Sequence, residues 1–484
     1  MAAPVAISKP MEGPEKQLQA AFPISEKPWV IAFYRVLTAM AAWLVIGTLV
    51  FKPNSKIVGY PLTMYLCIGI IIFCAKVRGA RVFGKTPVDV AFVLWLGLAV
   101  VSQLWASMVL NRVLMVDDIT TYLTIIVTTW LAFRVAFALV CVDPRTATGA
   151  FLKAILICLG IACLIGILQG YGPGGLKQWA IDFGVNNGTK GDVTALQVEA
   201  MTSPRPVALF SGPNYYGFMN LIGMCILIGM TIAQGKSISN KSVWAAAAGL
   251  TIFLIGTVVA QSRFAILTAL ILLFVFMYLM LRIGQRKVVI TGAIAMGAVF
   301  IAGLMFVQQM DLTYLEGTFQ KKVTDDDSFK ERAIGFDALR DQAIDLAPLG
   351  GGFDSRGFVL DRTGDVWART NSIDDGYLQA YINHGIPGVV WLLFYLWSLW
   401  WAIRIAKRQN YLHIRTLRIV GGLLLATYML YSLSGVRHAK METSIYWMVV
   451  FGLLYGSLYG EKYFGDNAWW RRRSLPVAAP ATSS

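Results

Sequence analysis

The stretch RFAILTALILLFVFMYLMLRIGQRK, residues 263–287, contains one apolar run framed by basic residues. Between Arg263 and Arg282 no side chain is charged, and the run matches the ~20 residues that a helix needs to cross a bilayer. Arg286 and Lys287 follow directly. The stretch therefore predicts a membrane-spanning helix that begins at a tight turn carrying Arg263 and ends at a basic loop.

The rest of the chain repeats this pattern. Its 484 residues are 57% hydrophobic and 14% charged, whereas roughly 25% of the residues of an average soluble domain are charged. The apolar runs are continuous, which favours helices over the ~10-residue alternating segments of a β-barrel. We therefore predict an all-α polytopic membrane protein with about twelve transmembrane helices. The predicted spans are 30–51, 58–77, 88–110, 119–142, 150–170, 212–234, 243–260, 263–283, 288–309, 386–405, 416–435 and 444–460.

Basic residues are concentrated in alternate loops, after the second, sixth, eighth and tenth predicted spans, and in the C-terminal tail. Because short cytoplasmic loops carry an excess of Lys and Arg, both termini are predicted to be cytoplasmic. The net charge of +15 is explained by this topology, so we expect no nucleic-acid partner. The six cysteines all fall within predicted spans and show no disulfide or metal-site spacing.

The predicted spans divide the chain into five parts. The parts are a cytoplasmic tail at 1–28, transmembrane helices 1–9 at 29–309 with an outer loop at 171–211, a periplasmic cap loop at 310–385, helices 10–12 at 386–462, and a cytoplasmic tail at 463–484. Apolar residues at helical spacing predict that the cap loop contains an amphipathic helix, which ends at Pro348 and the glycines after it. Long loops of this kind are often functional.

Arg263 is the strongest candidate for a binding residue, because it lies between two apolar runs joined by almost no loop. A guanidinium group offers a planar fork of donors that suits phosphate or carboxylate. The alternative is that Arg263 only extends to the membrane interface, which is the role we favour for Arg134 and Lys153. Asn214 follows Pro213 at the start of a span, where free backbone N–H groups can face an anion or Asn214 can cap the helix.

Asp374 and Asp375 stand side by side before a predicted helix, GYLQAYINHGI at 376–386. Carboxylates favour helix N-termini, so capping is one interpretation of the pair. The other is general-base catalysis, because a carboxylate near apolar walls holds a proton more tightly. His384 is an alternative base, but its place before Gly385 favours a capping or interface role.

Four segments in order resemble the bacterial O-antigen polymerase and O-antigen ligase superfamily, including its exopolysaccharide polymerases. RPVALFSGPNYYGFMNL at 205–221 is similar to the family's Arg-x-x-Gly-x-Phe-x-x-Pro-Asn segment, with Ala208 where a glycine is frequent. QSRFAILTALI at 261–271 is similar to its Ser-Arg-Gly/Ala turn. ERAIGFDALRDQAIDLAPLGGGFDSRGF at 331–358 resembles its outer-loop segment. DDGYLQAYINHGIPGVVWLL at 374–393 resembles its His/Asp-Asn-x-Tyr-Leu signature, followed by Gly-x-x-Gly.

The resemblance implies a metal-independent, inverting glycosyltransferase with a GT-C-like fold and no cofactor, at the periplasmic face of the bacterial inner membrane. Its donor and acceptor are oligosaccharide repeat units linked to undecaprenyl pyrophosphate, and a chain-length regulator is a further partner. On this resemblance, Asp374 is the catalytic base and arginines hold the pyrophosphate. The substrate-binding residues are Arg263, Arg332, Arg205, Asp375, Asn214, Arg369 and Tyr377, although Tyr377 either packs against a sugar ring or only lines the helix.

The sequence is also compatible with other functions. Ligases of the family carry histidine where this chain has Asp374, so polymerisation is favoured over transfer to the lipid A core. A transporter or flippase would place ionisable residues near the middle of the membrane in broken helices, often in repeated halves. A non-catalytic scaffold is a third class. Polar groups are concentrated in the outer loops and no repeat is visible, which favours the enzyme.

Overall fold

The computed structural model describes residues 28–51, 60–78, 85–113, 116–187, 206–210, 213–235, 238–284, 286, 289, 290, 293, 297, 348–352, 376–409, 411–432 and 441–464. These residues contain no strand. Twelve helices can be delimited within them: α1 Pro28–Phe51, α2 Tyr60–Arg78, α3 Pro87–Val109, α4 Val116–Val142, α5 Pro144–Tyr171, α6 Gly174–Asn187, α7 Pro213–Gln234, α8 Asn240–Val259, α9 Arg263–Arg282, α10 Gly376–Ala406, α11 Leu412–Tyr431 and α12 Met441–Phe464.

The described part of the chain contains eight helices that are long and apolar enough to cross a membrane, namely α3, α4, α5, α7, α8, α9, α10 and α11. Three others, α1, α2 and α12, are apolar over shorter described stretches. The chain is therefore a multi-pass membrane protein, as predicted. Eleven predicted spans coincide with a helix. Of the predicted span 288–309 only four residues are described, and all four are helical.

Proline and capping residues determine where several helices begin. At α3, the Thr86 side chain accepts a hydrogen bond from the N–H of Asp89, and the Asp89 carboxylate accepts one from the N–H of Thr86. At α5, the carboxylate of Asp143 accepts from the N–H of Thr146 at 3.2 Å, and Pro144 occupies the first helical position. This local chemistry starts α5 six residues before the predicted span at 150–170.

Two contacts give the relative directions of α9, α10 and α11. Ser262, just before α9, and Tyr377, in the first turn of α10, both make hydrogen bonds to the last turn of α11. Therefore α9 and α10 run antiparallel to α11, and Arg282 and Arg404 at their ends lie with the first turn of α11. We call the packed membrane-spanning helices the helix layer. The end of this layer at which Arg282 and Arg404 lie is named the basic end, and the opposite end, where Tyr431 lies, the distal end.

Helix α1 begins at the basic end, and helix α12 ends there. The guanidinium of Arg35 in α1 is paired with Asp143, which separates α4 from α5 at that end. Helix α12 runs parallel to α4, since Thr129 contacts Ser444 at 3.2 Å and the thiol of Cys141 reaches the carbonyl of Gly456 at 3.7 Å. Residues 28 and 464 thus lie at the same end.

The interior of the fold is formed by α4 and α7, whose apolar windows are 72% and 89% buried. Helix α12 packs closely along α4 because Gly452 and Gly456 form a Gly-x-x-x-Gly pair. A Cβ atom at Gly452 would collide with the carbonyl oxygen of Phe133. Close backbone contact at this seam therefore depends on the two glycines.

Two of the predicted loop regions contain helical residues. The predicted outer loop 171–211 contains helix α6, which packs on the end of α5. The predicted division between 310–385 and 386–462 falls inside α10, which begins at Gly376. Of the predicted cap loop, only 348–352 and the first residues of α10 are described, so the amphipathic helix predicted there lies outside the described residues, as do both tails.

Candidate functional site

Tyr431, the last residue of α11, joins three helices at the distal end. Its side chain is only 1% exposed. The hydroxyl donates to the backbone carbonyl of Asn214 at 2.9 Å and lies 3.0 Å from the hydroxyl of Ser262. Because its single hydrogen is used on Asn214, the Ser262 hydroxyl must be the donor in the second bond. The starts of α7 and α9 are therefore fixed against the end of α11.

Arg263 occupies the tight turn that the sequence predicts. Only Ala260, Gln261 and Ser262 separate α8 from α9, and Gln261 has a positive φ of 51°. The Ser262 side chain does not cap α9, because it is bonded to Tyr431. Arg263 is the first residue of α9 and its side chain is exposed at the distal end. Both the anion-binding and the interfacial interpretation are compatible with this position.

Asn214 and Tyr377 lie beside the same turn of α11. Asn214 is the second residue of α7, inside the helix rather than at the N-cap position, and its backbone carbonyl makes the contact with Tyr431. Tyr377 is the second residue of α10, and its hydroxyl donates to the carbonyl of Met429 at 2.9 Å. Asn214, Tyr377 and Ser262, the neighbour of Arg263, thus all make hydrogen bonds to the last turn of α11.

The other predicted site residues lie outside the described residues: Asp374, Asp375, Arg369, Arg332 and Arg205. Asp374 and Asp375 immediately precede α10 in the sequence, and therefore precede Tyr377 by two or three positions. Their roles stay predictions.

Helix α10 is broken at Gly385, where φ is 63° and ψ is −152°. The break leaves carbonyl groups without helical partners, and the glycine segment, residues 348–352, binds them. Two of its N–H groups donate to the carbonyls of Ile382 at 2.7 Å and Asn383 at 3.0 Å. A Cβ atom at Gly385 would collide with the carbonyl oxygen of Pro348, so the close approach requires glycine.

The glycine segment is also held from the side of α3. The guanidinium of Arg112, just after α3, donates to the carbonyl of Gly351 at 2.8 Å. A Cβ atom at Gly352 would lie 2.5 Å from the side-chain oxygen of Gln103, so this glycine, with φ of 84°, is also pressed against α3. The glycine segment therefore lies between α3 and the first part of α10, at the distal end.

His384, beside the break, is 1% exposed and makes hydrogen bonds through both ring nitrogens. Its Nδ1 lies 2.8 Å from the hydroxyl of Ser102, and its Nε2 lies 3.2 Å from the hydroxyl of Tyr122. The Ser102 hydroxyl also donates to the carbonyl of Leu98 in the preceding turn of α3. The Tyr122 hydroxyl in turn accepts from the indole N–H of Trp95 at 3.3 Å.

These contacts place His384 in a hydrogen-bonded network that joins α3, α4 and α10. Both nitrogens are engaged within the helix layer, which supports the predicted interface role over the alternative of a catalytic base. The sequence reasoning missed Ser102 and Tyr122. The sequence does indicate them, because Ser102 and Tyr122 are polar residues within apolar runs and polar groups in a membrane usually have partners.

Arg134 does not extend to the membrane interface, contrary to our expectation. Its side chain is 3% exposed and forms an ion pair with Asp89. The Asp89 carboxylate also accepts from the backbone N–H of Thr86 at 2.8 Å, its hydroxyl at 2.7 Å, and the indole of Trp130 at 3.0 Å. The guanidinium lies 5.2 Å from the ring centre of Phe137. This ion pair joins α3 and α4 near the basic end, away from the candidate site.

Lys153 in α5 is exposed, as an interfacial role requires. All six cysteines are buried within spans as free thiols, as predicted. The described portion of the chain shows no group of three His, Cys, Asp or Glu side chains that could hold a metal ion.

Comparison with known proteins identifies no relative: no protein-family model matches the chain, and no curated protein matches it.

Proposed function

We propose that the chain is an integral-membrane glycosyltransferase that polymerises lipid-pyrophosphate-linked oligosaccharide repeat units. The observation that supports the proposal best is that Asn214, Tyr377 and Ser262, the neighbour of Arg263, all contact the last turn of α11. These residues come from three separate segments of the resemblance to the O-antigen polymerase and ligase superfamily. Convergence of distant segments on one turn is expected of a site.

The proposed reaction needs stabilisation of the departing pyrophosphate and removal of the acceptor's proton. Arg263, with Arg332 and Arg205, binds the pyrophosphate, because a guanidinium stays charged and forms paired hydrogen bonds with phosphate oxygens. The acceptor hydroxyl oxygen attacks the anomeric carbon as the carbon–oxygen bond to pyrophosphate breaks. Asp374 takes the hydroxyl proton, and the lipid pyrophosphate leaves with the bonding electron pair. One direct displacement inverts the anomeric configuration.

The proposed topology has twelve spans, a GT-C-like fold and cytoplasmic termini in the bacterial inner membrane. Helix α9 ends at the basic end and α10 begins at the distal end, so a crossing such as the predicted span 288–309 is needed between them. Residues 28 and 464 both lie at the basic end, which agrees with an even number of spans. By the positive-inside rule, the basic end is cytoplasmic and the site at the distal end is periplasmic.

Replacement of Arg263 by lysine tests the proposal, because lysine keeps the charge but loses the planar fork. Polymer length is measured in a deletion strain that expresses the variant. We expect Arg263→Lys to reduce polymer by about tenfold or more, with single repeat units left on the carrier. Arg282→Lys at the other end of α9 is the matched control and should restore full polymer. Full polymer from Arg263→Lys would remove this arginine from the site, and full polymer in the deletion strain would reject the function.

The break in α10 favours a transporter as the second candidate, since transporters often bind substrates at discontinuous helices. By helix rise, Gly385 lies about 14 Å from the start of α10 and about 32 Å from its end. The hydrocarbon layer is ~30 Å thick, so the break lies at its distal boundary rather than its middle. This position favours the enzyme. Purified protein in liposomes separates the two: lengthening of a lipid-linked glycan without net translocation supports polymerisation.

A further inference from the structure

A cavity of about 520 Å³ lies between the end of α10 and the first half of α11, at the basic end. Three cationic side chains line it, from Arg404, Lys407 and Arg418. The cavity is at the opposite end of the helix layer from the candidate site and shares no residue with it.

The cavity has a polar mouth and an apolar interior. Lys407 and Arg404 lie at the end of α10, whereas Trp400 and Ile403 lie closer to the middle of the helix layer. On α11, which runs the other way, Arg418 lies nearest the basic end and Leu423 lies deeper. Charge at the mouth and hydrocarbon inside match an amphiphile with an anionic head group.

The three cations have no ion-pair partner among the described residues. No acidic side chain lines the cavity. The guanidinium of Arg404 lies over the ring of Trp400 at 5.3 Å from its centre and over Trp401 at 5.9 Å. A cation–π contact of this kind uses the charge of the guanidinium and leaves N–H groups able to bind phosphate oxygens.

We propose that this cavity binds an anionic phospholipid of the leaflet at the basic end, with the phosphate at the three cations and part of one acyl chain along the apolar wall. Basic cavities between transmembrane helices suit anionic lipid head groups, and each Lys or Arg near such a surface strengthens binding. The binding site is independent of the glycosyl-transfer proposal, because its test measures lipid retention and uses no glycan.

The experiment uses the full-length protein in detergent, with native mass spectrometry of retained lipid. Dioleoylphosphatidylglycerol and dioleoylphosphatidylcholine are the two probes. The wild-type protein should retain the anionic lipid selectively, and Arg404→Gln/Arg418→Gln should weaken that retention by about thirtyfold, or about fivefold for each charge. Arg408→Gln, an exposed arginine just outside the cavity, is the matched control and should retain the lipid as the wild type does.

A second variant fills the cavity without changing any charge. Gly422 lines the cavity, and a Cβ atom there would meet no other atom within 4 Å, so Gly422→Leu should enter the cavity and displace the acyl chain. Gly160→Leu on α5, which also has open space, is its control. Loss of anionic-lipid retention in Gly422→Leu alone supports the proposal.

Three outcomes would overturn it. The first is equal retention of the two lipids by the wild type. The second is unchanged anionic-lipid retention in both Gly422→Leu and the double arginine variant. The third is displacement of phosphatidylglycerol by equimolar inorganic phosphate, which would identify a free-phosphate site instead of a lipid site.

Discussion

At the residue scale, several buried polar side chains join distant helices through hydrogen bonds. His384, Tyr122, Ser102 and Trp95 form one ordered chain of donors and acceptors within the helix layer. A polar atom left without a partner in such surroundings loses more free energy than a made bond gains. The chain therefore specifies how α3, α4 and α10 fit together beside the break at Gly385.

Tyr122→Phe tests this network. The substitution removes the hydroxyl that is hydrogen-bonded to His384 and that accepts from the indole of Trp95, so we expect the free energy of unfolding to fall by about 1–3 kcal/mol. Chemical denaturation in detergent measures the change. Tyr278→Phe is the matched control, because Tyr278 is exposed on α9, and it should change stability by less than about 0.5 kcal/mol. Equal effects of the two substitutions would contradict the assigned network.

The ion pair of Arg134 and Asp89 gives a second test at this scale. Arg134→Met leaves a largely buried carboxylate without its cation and should lower the free energy of unfolding by about 3–5 kcal/mol. The double variant Asp89→Asn/Arg134→Met removes both charges and should be more stable than Arg134→Met alone. The same denaturation assay is used, with Arg282→Met, exposed at the end of α9, as control. A loss of stability in the double variant equal to the sum of the losses of Arg134→Met and Asp89→Asn alone would show that the pair is not coupled.

At the element scale, the sequence predicts the helices well and their partners poorly. Hydropathy places α9 within one residue of its observed bounds, yet it places α11 at 416–435 instead of Leu412–Tyr431. Hydropathy leaves His413 outside the predicted span because histidine is polar, yet this residue is buried. Proline and glycine before residue 388 indicate a boundary near Gly385. Only the structure shows that the glycine segment, more than 30 residues earlier, binds the exposed carbonyls.

The close contact between α4 and α12 predicts that alanine at Gly452 lowers the stability of the protein. Alanine at Gly97, which lies in α3 away from this contact, should instead raise it. Gly452→Ala introduces a Cβ atom that collides with the carbonyl of Phe133, and it should destabilise the protein by about 1–3 kcal/mol. Gly97→Ala in α3 meets no atom within 4 Å and should stabilise it by up to about 1 kcal/mol, because alanine favours helix. Thermal unfolding compares the two. Stabilisation by both would show that α12 does not pack closely on α4.

At the scale of the whole molecule, the two ends of the helix layer differ in chemistry. The basic end carries the C-terminal arginines of α9 and α10 and the lipid cavity, whereas the distal end carries Arg263 and the turn of α11 that gathers the candidate site. The sequence alone predicts that the two ends differ, since charge counts and span lengths are local properties. It does not predict that Asn214 and Ser262 meet at Tyr431, because that contact depends on how helices distant in sequence pack.

Site-directed labelling tests which side of the membrane each end faces. All six native cysteines are buried, so the unmodified chain should react little with a membrane-impermeant maleimide. Single replacements Arg263→Cys and Arg408→Cys place one exposed thiol at each end. In intact cells the reagent should label position 263 and leave position 408 unlabelled until the inner membrane is opened. The extent of labelling is read from a mass shift of the purified protein.

The labelling pattern bears on the fold and on the proposed function in different ways. Labelling of both positions from the same side would contradict the antiparallel arrangement of α9, α10 and α11, on which the two ends are defined. The reversed pattern would keep the fold but turn the candidate site toward the cytoplasm. A lipid-linked polymerase of the proposed kind needs Arg263 at the periplasmic face, so the reversed pattern would reject that function while leaving every helix contact in place.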